Sequence, residues 1–232
     1  TVINSTGIVG VYSTNDGQLF AIGNEPNRRS IYKLDNGSAT EISIGPNEEL
    51  LGNGRPIFTE TEVYAVIAGG LDMQRIVLAT DVSERTWTNA PLATHVVANT
   101  SRLLANDSFV DKTKVRYSGI SQGTVVTTGH LVWTNTGIAD EGGFFTAEAR
   151  PDNVVAVAEN TNEVFVWGKD NVQIFQPDED LIFAPSATRE FGTCAPYSII
   201  KVDQSFIWLD QYRRIVYSDG RQFQNIEKPI KK

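Results

Sequence analysis

The side chains most able to do chemistry in this sequence are few and scattered. His95 and His130 each stand alone, without a second histidine at the short spacings that metal sites use. Cys194 is the single cysteine, which excludes an internal disulfide. It sits among small residues in FGTCAPYS with no base to activate it, and the expectation is a buried structural thiol. Asp16, Asp107, Asp111, Asp140, Glu141, Asp178, Asp180 and Glu190 could supply the acid and base of a glycosidase. That chemistry needs two carboxyls roughly 5–10 Å apart. Most of these residues lie beside Asn or Gly, where an Asp bonds its own turn. Trp87, Trp133, Trp167 and Trp208 could serve as sugar platforms, but in Val-Trp and Ile-Trp contexts they read as inter-sheet core. No Asp-x-Asp-x-Asp-Gly calcium loop and no phosphate-cradling glycine loop occurs. No catalytic, cofactor or metal residue is therefore assigned, and no enzymatic activity is expected.

The chain that must position these groups has 232 residues, 41% of them hydrophobic and 21% charged, with a formal net charge of −8. Nucleic-acid binding depends on Lys and Arg neutralising phosphates, so a DNA grip along the whole chain is excluded. An acidic wall past which DNA could slide remains compatible. No apolar run approaches the ~20 residues of a membrane span. A soluble protein made in the cytoplasm is the expectation.

The 19 glycines and many asparagines punctuate short apolar runs, the pattern of closely spaced turns. Ile8 to Tyr12 and Gln18 to Ile22 flank Asn15-Asp16-Gly17, and a second hairpin turns at Asp35-Asn36-Gly37. Asp-Gly or Asn-Gly between apolar runs is a strong hairpin signal, because those turn positions take φ > 0. Further strands are expected at 62–68 and 75–80 around Gly69 to Asp72, with Arg85-Thr86-Trp87 as an outer strand. Others fall at 95–98, 102–105 and 114–118, then at 154–160, 163–168 and 171–176. The last four fall at 197–203, 205–210, 213–219 and 221–226.

Two of these groups repeat one another, and Trp167 and Trp208 stand 41 residues apart. That interval suits the ~40–50 residues of a propeller blade. The expected fold is all-β: a single-domain β-propeller of four-stranded antiparallel blades, about five in number. A barrel or solenoid remains as an alternative. Residues 120–150 break the rhythm and read as a long loop or insertion. Long loops on rigid scaffolds carry contacts, so Ile138, Asp140, Glu141, Phe144, Phe145 and Arg150 are expected to touch a partner chain.

From Tyr117 to about Tyr217 the sequence resembles the packaged-DNA stabilisation proteins of short-tailed bacteriophages, the tail-hub or head-to-tail accessory factors. The segments that carry the likeness are the Arg116-Tyr117-Ser118 strand end, WTNTGIADEGGFFTAEARPDNVVAVAE (133–159) and EVFVWGKDNVQIFQ (163–176). REFGTCAPYSI (189–199) and FIWLDQYRRIVY (206–217) complete it. The likeness lies in pattern and order, with no catalytic signature to transfer. It implies a structural virion protein of the tail, assembled in the host cytoplasm, that helps retain packaged DNA. It also implies a homo-oligomeric ring that meets a portal or adaptor protein and tail fibre or needle proteins. Packaged DNA would pass nearby without specific binding, and no membrane is involved. Members of that family are longer than this chain, which is therefore either a fragment of a larger propeller or a relative with fewer blades. The competing readings are a carbohydrate-binding or glycoside-processing propeller and a cellular interaction scaffold.

Overall fold

The computed structural model describes residues 7–24, 29–42, 54–70, 72–84, 87, 89–99, 101–120, 130–134, 141–149, 152–179 and 181–226. Among them, twenty strands form five four-stranded antiparallel sheets, each a meander in chain order. Blade 1 comprises β1 (Gly7–Ser13), β2 (Leu19–Asn24), β3 (Arg29–Asp35) and β4 (Ser38–Glu41). Blade 2 comprises β5 (Ile57–Glu60), β6 (Tyr64–Ala68), β7 (Gln74–Val77) and β8 (Val82–Glu84). Blade 3 comprises β9 (Val96–Asn99), β10 (Arg102–Asn106), β11 (Lys114–Tyr117) and β12 (Gly143–Thr146). Blade 4 comprises β13 (Ala156–Asn160), β14 (Glu163–Trp167), β15 (Val172–Asp178) and β16 (Ile182–Arg189). Blade 5 comprises β17 (Ile200–Val202), β18 (Ser205–Leu209), β19 (Ile215–Ser218) and β20 (Phe223–Asn225). The first strand β9 touches the first strands β5 and β13 on either side, which sets these inner strands along the axis.

Local chemistry sets the hairpins. Asp35 pairs with Ser38 across Asn36 (φ 46°) and Gly37 (φ 79°), the two positive dihedrals of a type I′ turn. In the turn between Val202 and Ser205, Asp203 alone takes a positive φ (53°).

Packing follows from the period of two along each second strand. In β14, Val164 and Val166 face blade 3 and join Leu104, Val115, Tyr117 and Phe145. Phe165 and Trp167 point the other way and join Phe206, Trp208 and Val216 of blade 5. In β6, Ala65 and Ile67 meet Phe20, Ile22 and Ile31 of blade 1, while Tyr64, Val66 and Ala68 meet Leu103 and Ala105 of blade 3. An aromatic chain welds blades 4 and 5: the Trp167 and Trp208 rings meet edge-on at 5.6 Å, and Trp167 meets Phe206 at 5.3 Å.

The structure revises several sequence expectations. Residues 120–150 are not one long loop. Phe144 and Phe145 lie on β12, which pairs with β11 as the outer strand of blade 3, and Trp133 is fully buried in the core. The glycines of the EGG segment serve close packing there. A Cβ on Gly142 would come within 2.6 Å of Trp133 Cα, and one on Gly143 within 2.5 Å of Tyr117 Oη. The outer strand of blade 2 is Val82–Glu84. Arg85 and Thr86 lie outside the described residues, and Trp87 instead donates its indole N–H to Met73 O at 2.9 Å. Strands β5 and β16 were not anticipated. β16 hides its signal behind a bulge opposite Ile174/Phe175 and a Pro185 that cannot donate a ladder hydrogen bond.

Removal of a welding aromatic should be costly because the rigid sheets cannot close the void. Trp208→Ala is expected to lower unfolding free energy by about 3–5 kcal/mol, read from urea denaturation.

Candidate functional site

Around the axis, the start of blade 3, the loop after β10, the loop before β13 and the approach to blade 5 border an open pocket of about 290 Å³. Thr94, His95, Asn106, Ser108, Lys112, Asn153, Val154, Val155, Pro196 and Tyr197 line it. Its floor is fixed by Asn106, whose Oδ1 accepts the backbone N–H groups of Thr94 (3.0 Å) and His95 (2.9 Å). Those two donors set the amide orientation, so Nδ2 donates to Thr94 Oγ1 at 2.8 Å. The Thr94 hydroxyl also lies 3.1 Å from His95 Nδ1, and the imidazole tautomer decides which of the two donates.

The His95 side chain is buried and stacks on Tyr197, with ring centroids 5.2 Å apart. Burial pushes its pKa down to about 4, against a smaller upward pull from the Pro196 carbonyl. At neutral pH the imidazole is therefore uncharged. Tyr197 sits in a short 3₁₀ turn, Pro196–Ser198, and reaches across the axis. Arg55 Nη1 donates to its carbonyl at 3.4 Å, and Arg29 Nη1 donates to Gly54 O at 2.5 Å. The cluster ties blades 1, 2, 3 and 5 together at one end of the axis. It offers hydrogen-bonding groups, and its ring stacking and backbone hydrogen bonds brace this junction.

The other candidate residues are engaged elsewhere. His130 lies against Ser101 O through Nε2 at 2.9 Å, in the turn between β9 and β10. Cys194 is exposed, contrary to the buried thiol expected, with Sγ 3.2 Å from Asp210 O. Asp107 is buried; its Oδ1 accepts the Val110 N–H and its Oδ2 accepts Arg116 Nε at 2.8 Å. Asp210, which sequence reasoning passed over, does the same work in blade 5 with the Tyr212 and Arg214 N–H groups and Arg214 Nε. Both stand directly after a second strand, and that shared position was the available signal. Asp16, Asp111 and Asp178 each cap their own turn. Asp140 and Asp180 lie outside the described residues. Trp133, Trp167 and Trp208 are core, not platforms. Among the described residues no group of three or more His, Cys, Asp or Glu could hold a metal, and no helix is long and apolar enough to cross a membrane.

Of the residues expected to touch a partner, Ile138, Asp140 and Arg150 lie outside the described residues. Phe145 is removed from that surface: it is buried against Phe175 and Phe183. Phe144, on the opposite face of β12, is half exposed, with Lys114 Nζ 4.1 Å from its ring centre. Glu141 is half-buried, and its carbonyl accepts Arg102 Nη1.

The lowered pKa of His95 carries a pH signature. The unfolded chain binds a proton near pH 6.5 and the folded chain only near 4, so stability contributed by neutral His95 is complete above pH 6.5 and is lost as pH falls toward 4. Thermal melts between pH 7 and 4.5 should show this loss, and His95→Phe should flatten it.

Solved structures that resemble the chain are diverse in name but alike in fold. Kluyveromyces lactis Hsv2 matches at TM-score 0.60 with 11% identity, over 98% of this chain and 68% of its own. Virginiamycin B lyase from Staphylococcus aureus matches at 0.59 with 13% identity, over 93% and 67%. The structure described as YCF48 bound to D1 peptide matches at 0.59 with 11% identity, over 97% and 68%. Identities this low speak to fold alone. No curated protein sequence matches the chain. Residues 92–218, more than half of the 232 and covering blades 3 and 4 with the first three strands of blade 5, match the family described as Bacteriophage P22 Gp10, beta-propeller, and the protein belongs to that phage-stabilisation family.

Proposed function

We propose that this protein is a structural component of a phage tail, at the hub or head-to-tail connector, where it helps retain packaged DNA and supports other tail parts. The observation that carries the reading is the family match over residues 92–218. Two features of the chain support it. The net charge of −8 suits a wall beside DNA that must not adhere to it. The axial cluster around His95 and Tyr197 is braced by stacking and backbone hydrogen bonds, as a load-carrying part requires, and presents no reactive pair.

On this reading the protein works without catalysis or cofactor. It assembles as a homo-oligomeric ring, with portal or adaptor above and fibre or needle proteins below. The part of residues 138–150 that stays exposed, including Phe144, forms one of its contacts.

Particles assembled without the protein should package DNA and then lose it. The measurement is nuclease-sensitive DNA in purified particles, expected to rise several-fold over wild type and to fall on complementation. Particles that lack the protein yet hold their DNA and infect normally would overturn the assignment.

A further inference from the structure

Two loops on one rim of the propeller are built alike. Blades 3, 4 and 5 repeat one meander around the axis, so their second strands end at the same rim. The residue after β10 is Asp107 and the residue after β18 is Asp210. Both are buried, and both accept an arginine and N–H groups of their own loop. Two positions further on stand Phe109 and Tyr212, 69% and 70% exposed, and Val110 beside Phe109 is 76% exposed. Apolar side chains exposed singly need no explanation. Here an aromatic ring is held out at the same place in two blades by the same buried carboxylate.

The loop that carries Phe109 is already ordered. The Ser108 N–H donates to Leu92 O at 3.0 Å, Asp107 Oδ1 accepts the Val110 N–H at 2.9 Å, and Asp111 Oδ1 accepts the Thr113 hydroxyl at 2.8 Å. A ring held in this way loses little further freedom when a partner lands on it. The same bonds set the charge of the rim. Asp107, Asp111 and Asp210 are paired with Arg116, Lys114 and Arg214. Lys112 and Arg213, close in sequence to the exposed rings, and Lys169 on the same rim of blade 4 make no ion pair among the described residues. Asp170, exposed beside Lys169, opposes them. The open pocket adjoins the Phe109 loop, whose Ser108 and Lys112 line it from either side of the exposed pair. Its lining includes Val155, Pro196 and Tyr197 and contains no carboxylate.

We propose that the rim formed by Phe109, Val110, Lys112, Lys169, Tyr212 and Arg213 docks an extended acidic segment of another protein, with an apolar side chain seated in the pocket beside Lys112. Charge selects the segment, because the rim offers unpaired cations and the pocket lining has Lys112 with no carboxylate to oppose it. A nucleic acid fits this surface less well. Its phosphates would meet a chain of net charge −8, and the recess is walled in part by valine and proline. The inference rests on the fold and stands apart from the tail assignment.

Fluorescence anisotropy on the 232-residue chain tests it. The probes are short labelled peptides with a Leu, Phe or Trp centre flanked by either aspartates or lysines, and oligothymidylate is the nucleic-acid control. Aspartate-flanked peptides should bind about tenfold tighter than lysine-flanked ones. Phe109→Ser should weaken that binding about tenfold, and Lys112→Glu should abolish the preference for acidic flanks, while both variants melt within about 2 °C of the parent chain. Ile200→Ser, which removes an exposed apolar residue from a strand of blade 5 outside the rim, should leave binding unchanged. No binding by any peptide at millimolar concentration, equal binding of the two flank types, or full binding by Phe109→Ser would overturn the proposal. So would displacement of the peptides by oligothymidylate, which would make the rim a nucleic-acid surface. Sedimentation showing that Phe109→Ser separates an oligomer would assign the rim to a second copy of the chain, and the proposal would fall.

Discussion

The fold depends on one constraint: a four-stranded sheet with two apolar faces cannot exist alone in water. The second strands Tyr64–Ala68, Arg102–Asn106 and Glu163–Trp167 are apolar on both sides or nearly so, and each therefore needs a sheet on either hand. Stacking around an axis satisfies all of them with the same local unit. The stabilising contacts are correspondingly alike at each interface, a β-branched or aromatic side chain against its counterpart one blade on. The buried carboxylates Asp107 and Asp210 belong to the same logic. Each anchors the exit from a second strand by taking backbone N–H groups and an arginine, so that the following strand returns in register.

Much of this was legible in the residues. Asn36-Gly37 specified a two-residue turn because few other pairs tolerate consecutive positive φ. The interval between Trp167 and Trp208 came close to the blade repeat, but the two indoles lie on opposite faces of their second strands and meet in the interface between two blades. What escaped was structure with little period of its own. Ile57–Glu60 and Ile182–Arg189 are edge strands, half polar and fixed by their neighbours' ladders. Gly142 and Gly143 looked like a flexible loop, because a glycine required by a close neighbour cannot be distinguished in sequence from one that permits motion.

The axial cluster was the least legible part. His95 and Tyr197 are separated by most of two blades, and neither stands in a motif. Their stacking is a product of topology: the first strands converge, and whatever precedes them meets at the axis. An isolated histidine in sequence gave only the reading of a satisfied side chain. The structure adds what it satisfies, namely the junction of blade 3 with the approach to blade 5.

That junction has a kinetic meaning. Nearly every strand pairing closes a short hairpin, so the ladders within a blade can pair early, although each blade persists only once its apolar faces are covered. The hydrogen bond from Arg55 to Tyr197 spans 142 residues of sequence, and its loop closes only after the intervening sheets exist. The axis is thus the last region to order. Loosening it would free the inner ends of the blades while the apolar interfaces between neighbours still hold the sheets together.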